Sequence, residues 1–165
     1  MDFPGAEAPE YGDLQSSRGI LVCILLEVMQ PQLNGKTVGV ITPYQRQRFY
    51  LEEKLSKLKG KMDISINTID GFQGQERDVI VLSFVRANKS ASIGFLSHRQ
   101  RLNVALTRAK EVCYIVASLS SLEGNKEWSS LIKNGRQRRI ICTVTSKEEN
   151  NKGFIKYAIE NKASV

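Results

Sequence analysis

The stretch VIVLSFV, residues 79–85, is apolar at almost every position instead of alternating between apolar and polar residues. Uninterrupted apolarity is typical of a strand that is covered on both faces, as in a parallel sheet. Four other short runs rich in β-branched residues lie before and after it: TVGVIT at 37–42, ISINTI at 64–69, VCYIVA at 112–117 and IICTV at 140–144. The pattern therefore predicts a sheet of about five strands, mainly parallel.

Helical patterns separate these runs. Residues 14–30 are apolar on most faces, and residues 43–60 carry leucines at helical spacing after Pro43. Further helices are predicted at residues 98–110, 122–133 and 154–159. Strands that alternate with helices in this way indicate a doubly wound α/β fold. We expect an irregular lead-in over residues 1–13 and a single domain over residues 14–165.

The charge of the chain is strongly positive. Its 165 residues include 24 Lys and Arg against 17 Asp and Glu, which gives a net charge of +7. With 41% hydrophobic and 25% charged residues, the composition is that of a globular domain and excludes a disordered chain. The positive charge favours a polyanionic partner such as nucleic acid, although many basic domains bind nothing acidic.

Cysteine and histidine usage excludes two classes of site. Cys23, Cys113 and Cys142 lie far apart in apolar runs, and the chain has one histidine and no CxxC pair. This spacing excludes a zinc site of the usual kind and a disulfide framework. We expect buried thiols in an intracellular, reducing compartment, with nucleus and cytoplasm both open. The longest apolar run, residues 20–26, is far shorter than the ~18 residues that span a bilayer, so no membrane partner is expected.

Polar residues follow the first predicted strand in VITPYQRQR, residues 40–48. A strand that ends in Thr-Pro-Tyr before a helix places these residues at the carboxyl edge of the sheet, where α/β proteins bind ligands. Tyr44, Gln45 and Gln47 are therefore candidates for ligand contacts. A helix N-terminus with solvated polar residues is the alternative, and this segment alone leaves both open.

The segment NTIDGFQGQERD, residues 67–78, concentrates glycine and polar residues directly before a core strand. Its two glycines allow a tight backbone path close to a ligand. A carboxylate of Glu76 or Asp78 could accept hydrogen bonds from a ribose hydroxyl, and Thr68 could donate to a phosphate oxygen. No Lys-Ser/Thr pair follows Gly74, so the segment is not a phosphate-binding P-loop. A glycine-rich connection beside a charged turn is the alternative.

The segment RLNVALTRAK, residues 101–110, has two arginines beside an apolar stripe. The stripe consists of four residues at helical spacing, namely Leu102, Ala105, Leu106 and Ala109. Seven residues separate Arg101 from Arg108, so both are expected on one line of the helix. We expect the Arg108 guanidinium at the carboxyl edge of the sheet, where its fork suits phosphate oxygens. Two surface arginines whose stems cover apolar area are the alternative.

Other conspicuous residues have ordinary structural explanations. His98 has no partner at the spacing of a metal site or a catalytic triad. Trp128 is expected to pack its helix against the sheet. The basic residues Arg136, Arg138 and Arg139 are expected at a solvated edge, with an addition to a nucleic-acid surface as the alternative.

Three stretches, in this order and spacing, resemble motifs IV, V and VI of superfamily 1 helicases. They are VITPYQRQ at 40–47, IDGFQGQERDVIVLSFVRAN at 69–88 and IGFLSHRQRLNVALTRAK at 93–110. The resemblance is greatest to the 1B group that contains senataxin and the nonsense-mediated-decay helicase. Members of this family have two RecA-like domains, and the chain is similar to the second, which implies a RecA-like, P-loop NTPase-type sheet.

The resemblance also implies a role for each matching residue. Arg108 corresponds to the arginine finger that reaches the γ-phosphate of ATP and is the implied catalytic residue. Glu76 corresponds to the acid that holds the nucleotide ribose, with Gly74 in the turn beside it. Thr68 falls where family members contact the nucleic-acid backbone. The remaining implied contacts are Tyr44 and Gln47 on the nucleotide side, and Gln73 and Arg101 on the nucleic-acid side.

Two further motifs of the family do not occur in this sequence: the GxxxxGK[ST] phosphate loop and the Asp-Glu pair that binds magnesium. In this family both belong to the first domain. The resemblance therefore implies the second motor domain of an ATP-dependent RNA or DNA helicase, monomeric and inactive by itself. Its implied partners are the first RecA-like domain, ATP with Mg²⁺ held by that domain, and single-stranded RNA or DNA.

Two other functions are compatible with a fold of this class. A non-catalytic RecA-like nucleic-acid-binding module would need no arginine finger, so Arg108 and Glu76 count against it. A dinucleotide-binding enzyme would need the GxGxxG sequence, which does not occur.

Overall fold

The computed structural model describes residues 10–84, 99–144 and 151–162. Its strands are β1 Thr37–Ile41, β2 Asp63–Asn67, β3 Arg77–Phe84 and β4 Ala109–Ala117. Its helices are α1 Glu10–Met29, α2 Gln45–Lys54, α3 Ser56–Lys59, α4 Arg99–Leu106, α5 Leu119–Leu122, α6 Lys126–Gln137 and α7 Lys152–Lys162. The strands pair in parallel in the order β2-β1-β3-β4. The predicted α/β fold with a parallel sheet is confirmed.

Helices cover both faces of the sheet, because β1 and β3 carry apolar side chains on both sides. The α1 face packs α1, α2, α3 and α7 against residues such as Val40 and Val81. The α4 face packs α4, α5, α6 and a 3₁₀ turn against residues such as Ile80 and Leu82. Trp128 of α6 is buried and meets the Phe84 ring edge to face, with 5.1 Å between centroids, as predicted.

The described residues contain four strands, and the fifth predicted strand, residues 140–144, has no regular structure. The chain reverses after α6 at Arg139, whose φ is 57°. The Ile140 N–H donates to the Gly135 carbonyl over 3.0 Å, and Ile141 packs over Gly135. This closure turns the start of the segment back onto its own helix, where Ile141 covers Gly135, whereas Val144 packs against the α1 face, so the segment does not join the sheet.

The predicted helix over residues 98–110 is shorter in the structure. Helix α4 ends at Leu106, where the Thr107 hydroxyl donates to the Asn103 carbonyl over 2.8 Å, and Ala109 already pairs with Arg77 in the sheet. The chain must leave the helix to start β4. The expectation that Arg101 and Arg108 share one line of a helix is therefore wrong.

Other predicted boundaries also change. The helix over residues 43–60 is divided into α2 and α3 at Leu55, and the helix over 122–133 becomes α5 and α6. Helix α6 begins after Asn125, whose side-chain oxygen accepts the N–H groups of Glu127 and Trp128. Of the predicted lead-in, residues 10–13 form the first turn of α1. Residues 1–9, the predicted loop at 87–97 and His98 lie outside the described residues.

The expectation of three buried thiols holds only in part. Cys142 is exposed, because its segment does not enter the sheet, whereas Cys23 and Cys113 are half-buried. Burial raises the pKa of Cys113 to about 12, and burial together with nearby Glu27 raises that of Cys23 to about 11. In the parts of the chain described above, no helix is long and apolar enough to cross a membrane.

Candidate functional site

The two edges of the sheet carry different groups. The carboxyl edge is where the strands end, at Ile41, Asn67, Phe84 and Ala117. The amino edge is where they begin, at Thr37, Asp63, Arg77 and Ala109. Because all pairs are parallel, each predicted site residue can be assigned to one edge or to a segment that joins them.

The segment that joins β2 to β3, residues 68–76, crosses from the carboxyl edge to the amino edge in nine residues. Parallel strands usually need a connection of about a dozen residues or more. Here Phe72 packs against β1 at Gly39, where a Cβ would come within 2.9 Å of the Phe72 ring and 2.6 Å of Ile80 Cδ1. The missing side chain of Gly39 lets this crossing segment lie directly on the α4 face.

Thr68 begins the crossing segment at the carboxyl edge. Its hydroxyl accepts the Gly71 N–H over 3.3 Å, which starts the 3₁₀ turn Asp70–Phe72. Gln73 follows that turn and is exposed. Gly74 has φ of 76°, and no atom lies within 4 Å of the place where its Cβ would stand. The backbone at Gly74 is therefore open to a ligand and takes a conformation that glycine favours.

Tyr44 precedes α2 at the carboxyl edge, as the sequence predicts. It is half-buried in an extended conformation, and its N–H donates to Thr42 Oγ1 over 3.3 Å. Gln47, in the first turn of α2, is buried, and its side-chain amide bonds Thr42 and Ser83. The structure brings Tyr44 and Gln47 together with β1 and β3, but only Tyr44 has part of its surface exposed.

Arg108 lies at the amino edge, in the turn between α4 and β4. Its Nε donates to the Val104 carbonyl over 3.1 Å, and its Nη1 reaches the Gln75 carbonyl at 3.4 Å. Its own carbonyl accepts the Arg77 N–H over 3.0 Å. The expectation of a carboxyl-edge position is therefore wrong, because the parallel pairing of β4 with β3 places the start of β4 at the opposite edge.

Glu76 and Asp78, the two carboxylates proposed for a ribose, have different surroundings. Asp78 Oδ2 accepts both the N–H and the hydroxyl of Thr37 at 2.8 Å, and these bonds hold the pKa of the carboxyl below its ordinary value. Asp78 also donates its N–H to Thr37 Oγ1 over 3.0 Å. Glu76 is exposed beside the turn at Gly74. Of the two, Glu76 is the one presented to a ligand.

The predicted site residues thus form two groups. Gly74, Glu76 and Arg108 come together at the amino edge, from segments about thirty residues apart in the sequence. Tyr44, Gln47 and Thr68 belong to the carboxyl edge, Gln73 lies within the crossing segment, and Arg101 lies in the first turn of α4. In the described ranges, no cluster of three or more His, Cys, Asp or Glu could hold a metal ion.

Arg77 is a residue that the sequence analysis did not single out. Its Nη1 donates to the Glu76 carbonyl over 2.9 Å, its Nη2 donates to Ser65 Oγ over 3.1 Å, and its Cζ lies 5.8 Å from the Phe72 ring centroid. It therefore fixes the backbone of Glu76 to β2 and to the crossing segment. No pattern in the sequence distinguishes it from the other arginines.

Gly39 and Ser83 were also missed, although the sequence contained a signal for each. Gly39 interrupts the β-branched run TVGVIT, and glycine inside a strand often marks a close approach of another segment. Ser83 is a polar residue in the apolar run VIVLSFV, and a buried hydroxyl requires a hydrogen-bond partner.

Comparison with known proteins supports a helicase family for this chain. Residues 16–120, more than half of the chain, match a family described as an AAA domain. The chain is 38% identical to the "Probable helicase MAGATAMA 3" of Arabidopsis thaliana, over 90% of this chain and 18% of that protein. It is 34% identical to the "Probable helicase senataxin" of Homo sapiens, over 83% of this chain and 5% of that protein. It is 37% identical to the "ATP-dependent helicase NAM7" of Saccharomyces cerevisiae, over 74% of this chain and 13% of that protein.

A parallel α/β sheet with these motifs defines a helicase-family domain. The chain belongs to the AAA domain family matched above, within the superfamily 1 helicases, and it fits the 1B group. The identification made from motifs IV, V and VI is confirmed at this level. The chain spans less than a fifth of the length of each of the three relatives.

Proposed function

We propose that the chain is the second motor domain of an ATP-dependent RNA or DNA helicase and that its amino edge supplies half of an ATP site. The observation that carries the proposal is the meeting of Gly74, Glu76 and Arg108 at the start of β3 and β4. An exposed carboxylate, an open glycine turn and a guanidinium are the groups that a ribose and a phosphate require. The other half of the site, with the phosphate loop and Mg²⁺, would belong to a first RecA-like domain.

Each residue of the amino edge has a separate task in this proposal. Glu76 accepts hydrogen bonds from ribose hydroxyls, and Gly74 lets the backbone approach the nucleotide. Arg108 exchanges its long bonds to carbonyl oxygens for charge-assisted bonds to the γ-phosphate. An arginine in this position stabilises the charge that develops when phosphate is transferred to water. The chain by itself holds no phosphate loop in its sequence, so we expect no ATP turnover from it alone.

The nucleic-acid surface would lie towards the carboxyl edge. Thr68 begins the crossing segment there, exposed Gln73 follows it, and Arg101 stands at the distant end of α4. The net charge of +7 favours the phosphate backbone of single-stranded RNA or DNA. The crossing segment would thus connect the nucleic-acid contact at Thr68 with the nucleotide contact at Glu76.

The proposal is tested by titrating the isotopically labelled 165-residue chain with ATP and, separately, with a single-stranded 12-mer oligonucleotide, followed by amide chemical shifts. We expect ATP to bind weakly and to shift the amides of Gly74, Glu76 and Arg108. The oligonucleotide is expected to shift Thr68 and Gln73. Its affinity should fall about fivefold for each phosphate neutralised when the salt concentration rises tenfold.

A matched pair of variants sharpens this test. Glu76→Gln removes the carboxylate at the amino edge, whereas Glu123→Gln removes an exposed carboxylate that follows α5 and pairs with Arg136. Only Glu76→Gln is expected to weaken the ATP response. ATP-induced shifts found only at the carboxyl edge would contradict the proposal. So would the absence of ATP-induced shifts in the unmodified chain and in both variants. Oligonucleotide binding without an ATP response would favour a non-catalytic binding module.

A further inference from the structure

The three polar side chains that the described residues bury form one hydrogen-bonded chain. Thr42 and Ser83 are 0% exposed, and Gln47 is 5% exposed. The Thr42 hydroxyl donates to Gln47 Oε1, and Gln47 Nε2 donates to Ser83 Oγ over 2.6 Å. This buried chain joins the end of β1, the first turn of α2 and the end of β3.

The donor-to-acceptor order of these buried hydrogen bonds is set by a group that can only donate. The Tyr44 backbone N–H donates to Thr42 Oγ1, so the Thr42 hydroxyl proton is free to bond Gln47. Gln47 then accepts at its oxygen and donates at its nitrogen, as an uncharged amide can. A carboxylate of the same length could not donate, and its charge would be costly to bury.

Stability alone gives little reason for this arrangement. On the same face of the sheet, Val40, Leu51 and Val81 are fully buried apolar side chains. Replacing a buried polar network by apolar groups of similar shape is often nearly neutral for stability. What the hydrogen bonds add is orientation, because each one sets an angle and a distance between two elements.

We propose that Gln47 is a positioning residue: it holds Tyr44 and the end of β3 in a fixed relation and does not itself touch a ligand. Both atoms of its amide are used inside the fold, and almost none of its surface is exposed. Tyr44 is partly exposed at the carboxyl edge, where the proposed function places nucleic acid, and Gln47 acts on it through Thr42. The proposal depends on the proposed function only for the identity of the ligand that Tyr44 meets.

Gln47→Met and its matched control, Gln45→Met, test this inference in the 165-residue chain. Met has about the length of Gln but cannot bond Thr42 or Ser83, and Gln45 is an exposed residue of the same helix. Hydrogen exchange of the Tyr44 amide is compared with that of Val40 in β1. We expect Gln47→Met to raise the Tyr44-to-Val40 exchange ratio by roughly ten- to a hundredfold, and Gln45→Met to leave it unchanged. General destabilisation would raise both rates and leave their ratio constant.

A second pair of variants keeps the proposal testable if Gln47→Met does not fold. Thr42→Ser keeps the hydroxyl and should leave the Tyr44-to-Val40 exchange ratio unchanged. Thr42→Val removes the hydroxyl and should raise that ratio as Gln47→Met does. An unchanged ratio in Gln47→Met or Thr42→Val would overturn the proposal. So would a Gln47→Met protein that loses its oligonucleotide-induced shifts while its free Tyr44 amide exchanges normally, because Gln47 would then contact the nucleic acid. Failure of the unmodified chain to respond to ATP contradicts the proposed function and leaves the exchange comparison intact.

Discussion

The polar groups at the two edges of the sheet differ in charge and in burial. At the carboxyl edge, the polar groups Thr42, Gln47 and Ser83 are uncharged, buried and bonded to one another. At the amino edge, the groups are charged and close to solvent: Arg108 holds carbonyl oxygens at 3.1–3.4 Å, and Lys36 pairs with Glu111 across the strand starts. Exposed ion pairs of this kind contribute little to stability, about 0–1 kcal/mol each.

This difference indicates a division of labour. Buried hydrogen bonds exclude water and hold one arrangement, so the carboxyl edge presents a preformed surface. In the proposed function, the bonds of Arg108 at the amino edge would be exchanged for bonds to a phosphate. The crossing segment, held on β1 by Phe72 and Gly39, ties the two edges together.

The largest effect is expected from Arg108 in a protein that joins this chain to a domain with a phosphate loop. Arg108→Ala should lower ATP turnover ~10³-fold or more, because charge on the γ-phosphate loses its partner. Arg108→Lys should be nearly as damaging, since an ammonium cannot reproduce the planar fork. Steady-state ATPase activity and the melting temperature are measured together.

The free energy of unfolding is the control that separates a loss of catalysis in Arg108→Ala from a loss of folding. Its bonds are long and near the surface, so Arg108→Ala should change the free energy of unfolding by less than about 1 kcal/mol. Arg138→Ala, which removes an exposed arginine at the end of α6, should leave turnover unchanged. Normal turnover in Arg108→Ala would show that the amino edge carries only surface arginines and would remove the functional contrast between the edges.

The next effect concerns the link between the edges. Gly39→Ala places a Cβ within 2.9 Å of the Phe72 ring and should destabilise the fold by about 1–3 kcal/mol. Gly124→Ala adds the same methyl where no atom lies within 4 Å and should change stability by less than about 0.5 kcal/mol. Urea midpoints measure both. Equal midpoints would mean that the crossing segment does not depend on close contact with β1.

The smallest effect is a dependence on pH that only the amino edge should show. Bonds from Thr37 lower the pKa of Asp78 in the folded state. The stabilisation they provide is present above the unfolded pKa, about 4, and is lost as the pH falls through the lowered folded pKa. Asp78→Asn should remove this contribution, so its stability difference from the unmodified chain should shrink on acidification. Urea unfolding from pH 7 to pH 3 tests this, and a constant difference would contradict it. The buried chain at Gln47 contains no titratable group.

Local sequence patterns were sufficient to predict most of the strands. The runs at residues 37–42, 64–69, 79–85 and 112–117 became strands because apolarity and β-branching act over neighbouring residues. The run at 140–144 has the same local pattern but forms no strand. The turn at Arg139 and the packing of Ile141 on Gly135 direct it away from the sheet. A local pattern does not specify which surface an apolar segment will cover.

The sequence by itself determined the class of the fold and the helicase family, and it proposed Gly74, Glu76 and Arg108 as site residues, since motif residues and strand patterns are written in consecutive positions. Only the tertiary structure decided which edge each residue occupies, that Asp78 bonds Thr37 while Glu76 faces solvent, and that Gln47 is buried between Thr42 and Ser83. These outcomes depend on the parallel register of strands far apart in the chain. A change of partner strand moves a side chain from one edge or face to another without altering a single local preference.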